Sequence, residues 1–277
     1  MRRLLKLLLP PFIVSIFRNF KVQKETKNFI QWKGNYADWS SALAASDGYD
    51  SELILEKVRD ATIKVKTGQA VYERDSFIFE EKQYSWALLA ILMRIAAQHA
   101  NSLKVIDFGG SLGSTYFQNK DFLHAANIQL NWRVVEQPHF VEAGNKDIAS
   151  DELSFFSSLE AAAENFDADL ILLSGVLQCV ERPEAIIHAC KQLSVSNILI
   201  DRTAFIDDTA SRITVQHVPE WIYQASYPCR FFNENAFIES FSDAYTCTLG
   251  FDSFADIPLI TEDGKRIYWK GFYFIKN

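Results

Sequence analysis

The apolar positions of this chain fall into three successive patterns. From Leu4 to Phe17 they run almost unbroken, interrupted only by Lys6, Ser15 and the pair Pro10-Pro11. Fourteen residues are too few for the ~20 that a membrane-spanning helix needs, and the prolines divide the run. From 34 to 100 the spacing is helical. Leu53, Ile54, Leu55, Val58, Ala61 and Ile63 mark one face of Ser51 to Lys66, and Tyr84 to Ala100 is a strongly apolar helix. From Ser102 onward short apolar runs alternate with helical stretches. LKVIDF, NWRVVEQ, LSFF, DLILLS and SNILIDRT read as five buried strands, with helices between them. Buried strands alternating with helices predict a parallel sheet covered on both faces.

The alternation ends after the fifth strand. Asn233 to Phe241 reads as a helix, Tyr245 to Phe254 and Arg266 to Ile275 as strands, with a turn at Asp263-Gly264. A nicotinamide-dependent dehydrogenase would continue with a sixth parallel strand. The expected fold is therefore α/β and Rossmann-like, a mostly parallel sheet of seven strands with an antiparallel C-terminal pair. It divides into a basic apolar segment (1–33), a helical cap (34–100) and a cofactor-binding domain (101–277).

Charge sharpens this division. Residues 1–33 carry +7, while the other 244 carry −14. An acidic body argues against a nucleic-acid partner. The basic, apolar start has the composition of a segment lying against anionic headgroups, which points to a cytoplasmic protein with peripheral contact at the cytoplasmic face of the inner membrane. Helix packing on the body is the other reading of the same residues. Cys179, Cys190, Cys229 and Cys247 form no C-x-x-C pair and read as reduced thiols.

Candidate chemistry gathers where strands meet helices. Asp107, Gly109, Gly110, Ser111 and Gly113 occupy the turn after the first parallel strand, where glycines bring the backbone close to a ligand at a helix N-terminus. A dinucleotide G-x-G-x-x-G would need glycine at Phe108. The acid-x-G-x-x-x-G form present here suits a cofactor with an amino-acid tail, whose ammonium an acid such as Asp107 would face. Glu136, followed by Gln137, ends the second strand, 29 residues beyond Asp107, where a carboxylate accepts hydrogen bonds from ribose hydroxyls. Ser174-Gly175 follows the fourth strand and should line the same crevice. Ser157 or Ser158 falls where an adenine edge would be read.

In this order, FGGSLG, WRVVEQP, SGVLQ, DRTAF, RITVQHVP and ASYPC resemble a family of bacterial class I S-adenosylmethionine-dependent methyltransferases associated with surface-polysaccharide genes. The resemblance covers about residues 70–275. It implies an S-adenosylmethionine pocket built from Asp107, Gly109, Gly110, Gly113, Glu136 and Ser174-Gly175. It also implies a sugar or lipid-linked saccharide acceptor, methylated on a hydroxyl. Ser111 departs from the glycine usual there.

Methyl transfer from a sulfonium requires alignment and, for a hydroxyl acceptor, a proton acceptor. The stretch Thr203 to Arg230 is the expected acceptor-binding insertion, holding Asp207, Asp208, Arg212, His217, Tyr223, Tyr227 and Cys229. His217 is the expected base, since imidazole titrates near neutrality, with Asp201 at the end of the fifth strand as the second candidate. Asp207 and Asp208 are read as solvated, so no metal is expected. Tyr84 and Trp86 are read as packing residues that also lie in reach of the cofactor. A non-catalytic binding module on this fold is the alternative.

Overall fold

The computed structural model describes residues 30–48, 51–218, 225–254, 258–261 and 263–277. The expectations for residues 1–29 and for Tyr223 lie outside them. Five parallel strands form the centre of the main sheet: β4 (Ser102–Phe108), β5 (Gln129–Val135), β6 (Leu153–Phe156), β7 (Leu170–Ser174) and β8 (Asn197–Ile206). The last two long strands, β11 (Tyr245–Asp252) and β13 (Arg266–Lys276), complete it. The strand order is β11-β13-β8-β7-β4-β5-β6, with β13 antiparallel to both its neighbours. That is the Rossmann-like order of the class I methyltransferase sheet, with the reversed C-terminal pair. The Asp263-Gly264 turn joins β13 to the two-residue strand β12 (Leu259–Ile260), so β11 reaches β13 by a longer connection than the expected tight hairpin.

Alternating strand residues sort into two apolar layers. Leu103, Val105, Leu130, Trp132, Val134, Leu170 and Leu172 face one side, packed on α2 (Ser51–Lys66), α3 (Trp86–Gln98) and α4 (Ser114–Ala125). Ile106, Val135, Ile171, Leu173, Ile198 and Ile200 face the other. There they meet α6 (Leu159–Ala163), α7 (Pro183–Leu193) and α8 (Glu234–Glu239). α5 (Pro138–Ala143) follows β5 and continues into a π turn at Gly144–Ile148.

Residues 34–100 are not wholly helical. Besides α1 (Trp39–Ala44), α2 and α3 they contain the second half of β1 (Gln31–Tyr36) and a hairpin of β2 (Tyr72–Arg74) and β3 (Phe77–Phe79). The period-3.6 reading missed these because three-residue strands carry too little alternation to register. The expected acceptor loop is also strand. β9 (Arg212–Val218) and β10 (Ala225–Phe231) pair antiparallel, and β1 adds to the free side of β9. Trp32 from β1 packs against Phe231 and Trp269, which ties this small sheet to the main one. Among the described residues no helix is long and apolar enough to cross a membrane.

Candidate functional site

At the carboxyl end of β4 the chain turns through three left-handed residues, Gly109 (φ +72°), Ser111 (φ +55°) and Gly113 (φ +89°). Gly113 caps α4 with backbone alone, so the first N–H groups of that helix stay directed at the loop. The residue between them is constrained differently. A Cβ on Gly110 would lie 2.6 Å from the Asp107 carboxylate, so the loop can close over that side chain only with glycine there. Ser111 holds a conformation that glycine would adopt without strain, which is where this chain departs from the glycine-rich pattern.

Asp107 does not meet the cavity directly, as the sequence reading expected. Its side chain is fully buried beneath Gly110, and one carboxylate oxygen accepts a hydrogen bond from the Trp132 indole at 2.9 Å. The other oxygen, Oδ1, has no partner among the described residues. Burial pushes the group up to about 7; the Trp132 bond opposes the shift and the nearby Glu136 adds to it.

Glu136 lies where β5 ends. Its Oε1 accepts from the Ser111 N–H at 3.2 Å and its Oε2 from the Gln137 N–H at 2.9 Å. One carboxylate thus bridges the glycine loop to the next strand end while keeping unused lone pairs on both oxygens. Burial raises its pKa, and the two backbone donors hold the rise back.

Two cavities meet at this loop. The larger, about 550 Å³, is lined by Ser111, Glu136, Gln137 and Phe140 on one side and by Trp39, Leu43, Tyr227 and Pro228 on the other. The smaller, about 50 Å³, is polar: Gly109, Gly110, Ser111, Ser114, Thr115, Ser174, Asp201 and Arg202 form its wall. The β2–β3 hairpin closes it, with Tyr72, Arg74 and Asp75. Ser111 and Asp75 are the two residues that line both cavities.

The structure thus brings together Gly109, Gly110, Ser111, Glu136, Gln137, Ser174 and Asp201. Gly175 lies beside them, its N–H donating to the Asp201 carbonyl at 2.9 Å. His217 is placed elsewhere. It lies on β9, opposite Gln31 on one side and Ser226 on the other, and lines neither cavity. Alternation along β9 separates it from Gln216, whose amide donates to the hydroxyl of the cavity residue Tyr227 at 2.8 Å. Partial burial and the charge of Lys33 lower its pKa.

Of the other insertion residues, Asp208 and Arg212 are committed to ion pairs. Arg212 pairs with Asp263 at 2.8 Å and Asp208 at 3.2 Å, and Asp208 also meets Lys265. Cys229 is buried. Among the described residues no three His, Cys, Asp or Glu side chains cluster as metal ligands. Ser158 caps α6 by accepting from the Ala161 N–H at 3.1 Å. Tyr84 and Trp86 stack with Phe122 at the surface, away from both cavities.

Sequence reasoning missed the hairpin residues. Glu73 is fully buried and accepts a hydrogen bond from the Ser114 hydroxyl at the start of α4. Burial pushes it up to about 7. Arg74 lies over Phe79 and Phe254. Asp75 and Ser76 both have positive φ, the signature of a tight two-residue hairpin turn. The available signal was the turn-forming pair Asp75-Ser76 between two aromatic-containing triplets.

No protein-family profile matches the chain, and no curated protein matches it. Solved structures with a similar backbone include the N-terminal domain of EvdMO1, crystallised in the presence of SAH and D-fucose. It is 12% identical, with a TM-score of 0.42 over 81% of this chain and 97% of that one. LepI in complex with SAM is 11% identical, with a TM-score of 0.45 over 80% of this chain and 64% of LepI. An S-adenosylmethionine-dependent methyltransferase from Clostridium acetobutylicum is 9% identical, with a TM-score of 0.42 over 70% of this chain and 92% of that one.

Proposed function

We propose that the chain is an S-adenosylmethionine-dependent methyltransferase. The observation that carries this is the relation of Glu136 to the glycine loop. Its carboxylate stands at the strand end next to the loop, holds Ser111 by its N–H, and opens onto the larger cavity. A ribose placed there would donate its hydroxyls to the remaining lone pairs of Glu136. Gln137 and Phe140 then wall the adenine side. The small polar chamber at the start of α4 has hydroxyls, backbone N–H groups and charges of both signs, which suits a zwitterionic amino-acid tail better than a pyrophosphate. When bound, the cofactor supplies an electrophilic methyl group on a sulfonium. The protein's task is to align an acceptor in line with it and exclude water.

The acceptor enters this reading through the resemblance to methyltransferases associated with surface polysaccharides. Trp39, Tyr227 and Pro228 offer flat apolar faces to a sugar ring. The basic apolar segment 1–33 would hold such an enzyme beside a membrane-borne saccharide at the cytoplasmic face. The off-cavity position of His217 favours a second reading, a binding module that keeps the cofactor without turnover.

Calorimetric titration of the whole chain with S-adenosylmethionine and with NAD tests the cofactor. Binding of the sulfonium compound alone, lost in Glu136→Ala, is expected. Failure of S-adenosylmethionine to bind would overturn the assignment. Transfer of a tritiated methyl group to saccharide hydroxyls separates enzyme from binding module.

A further inference from the structure

The two cavities divide the proposed cofactor at its sulfur. The amino-acid tail belongs in the small chamber of the glycine loop, and the ribose belongs beside Glu136 in the large one. The sulfur joins these two parts, so it passes where the chambers meet. Ser111 and Asp75 form that junction, being the residues lining both. Ser111 brings a neutral hydroxyl. Asp75 brings a carboxylate at the tip of the β2–β3 hairpin.

Several contacts hold that tip in place. Glu73, two residues earlier, is buried and bound by the Ser114 hydroxyl at the head of α4. Arg74 is stacked between Phe79 and Phe254. Asp75 itself lies 3.5 Å from the Arg202 guanidinium. Arg202 has a left-handed backbone (φ +51°) within β8, unusual for a long side chain, and it lines the small chamber. The carboxylate at the crossing point thereby comes from the hairpin, and the guanidinium beside it reaches it from the central sheet through the small chamber.

Resting on the cofactor reading above, we propose that Asp75 is the residue that distinguishes the methylated sulfonium from its demethylated product. S-adenosylmethionine and S-adenosylhomocysteine share every group except the methyl and the positive charge on sulfur. A carboxylate at the junction attracts the first and is indifferent to the second. Loss of the methyl removes that attraction, so the same side chain that favours binding of the reactant favours exchange of the product. In the transfer itself the acceptor oxygen forms a bond to the methyl carbon while the carbon–sulfur bond breaks, its electron pair returning to sulfur. The hydroxyl proton leaves the acceptor oxygen for solvent water, and Asp75 acts on the sulfonium charge alone. Arg202 tempers the attraction by holding a positive charge beside it.

The test needs no acceptor. Affinities for S-adenosylmethionine and S-adenosylhomocysteine are measured by calorimetry on the full chain, on Asp75→Asn and on Arg202→Gln. Asparagine tolerates the left-handed turn, so the hairpin keeps its shape. The Asp75 side chain is 69% exposed, so for unit charges ~6 Å apart in a water-like dielectric Asp75→Asn should lower the preference for the sulfonium about threefold. The affinity for S-adenosylhomocysteine should stay as it is. Arg202→Gln should move the preference the opposite way, whereas a merely structural role would move both variants alike. An unchanged ratio in Asp75→Asn, or a shift of the same sign in both variants, overturns the proposal while the cofactor reading stands. Should Asp75→Asn lose S-adenosylhomocysteine as well, the sign of the Arg202→Gln shift decides. Absence of both ligands from the unmodified chain overturns the cofactor reading and this proposal with it.

Discussion

Replacing Asp107 by Asn should make the protein more stable at pH 8 and not at pH 5. The carboxylate is fully buried, and burial pushes its pKa from 3.8 up to about 7. Between pH 4 and 7 the folded state therefore holds a proton that the unfolded state has released. Stability falls as pH rises through that window and is level above it. Each tenfold difference in proton affinity between the two states is worth ~1.4 kcal/mol. The ionised group therefore costs about 4 kcal/mol at pH 8 and less than half of that at pH 5. Asparagine carries no charge and still accepts from Trp132, but its amide N–H groups take the place of the unpartnered Oδ1. Two unmet donors cost about 1–3 kcal/mol at either pH. The difference between variant and parent should thus swing by about 2–3 kcal/mol in favour of the variant from pH 5 to pH 8. Urea unfolding followed by tryptophan fluorescence at the two pH values measures it, and the titrating groups other than the coupled Glu136 cancel because both proteins carry them. A constant difference at the two pH values would refute the claim that Asp107 is a buried, protonatable support beneath the loop.

Four further outcomes follow from the same geometry. Gly110→Ala sets a Cβ 2.6 Å from that carboxylate and should cost about 1–3 kcal/mol in urea unfolding. Gly68→Ala, at a left-handed position (φ +74°) with open space around it, should cost only the backbone strain of about 1 kcal/mol. Glu136→Gln removes a charged acceptor while keeping the side chain's size, and calorimetry should show S-adenosylmethionine binding about tenfold to a hundredfold more weakly. His217→Gln should leave cofactor affinity unchanged in the same assay, since the imidazole lines neither cavity.

The main sheet was legible because each of its strands carries its own signal. LILLS and NILID are continuous apolar runs, and the helix-then-two-strands ending identified the reversed pair. The glycine loop and Glu136 were legible for a related reason: their positions follow from where strands end. The placement of His217 was not, because the insertion is a hairpin, and strand alternation sets Gln216 on the Tyr227 side instead. The β2–β3 hairpin was hidden because Tyr72 to Phe79 is too short to show a period. Its contacts with Ser114, Phe254 and Arg202 span separations that no local pattern encodes.

β13 follows β8 and β11 in the chain, yet it lies between them in the sheet. Until residues 266–276 emerge, β8 presents a long unpaired edge of buried residues and β11 has no neighbour in the sheet. Nascent chains would dwell as a partial sheet with an adhesive border, the kind of edge that pairs readily with another molecule. A chain lacking β13 should therefore yield aggregates, not a smaller folded product.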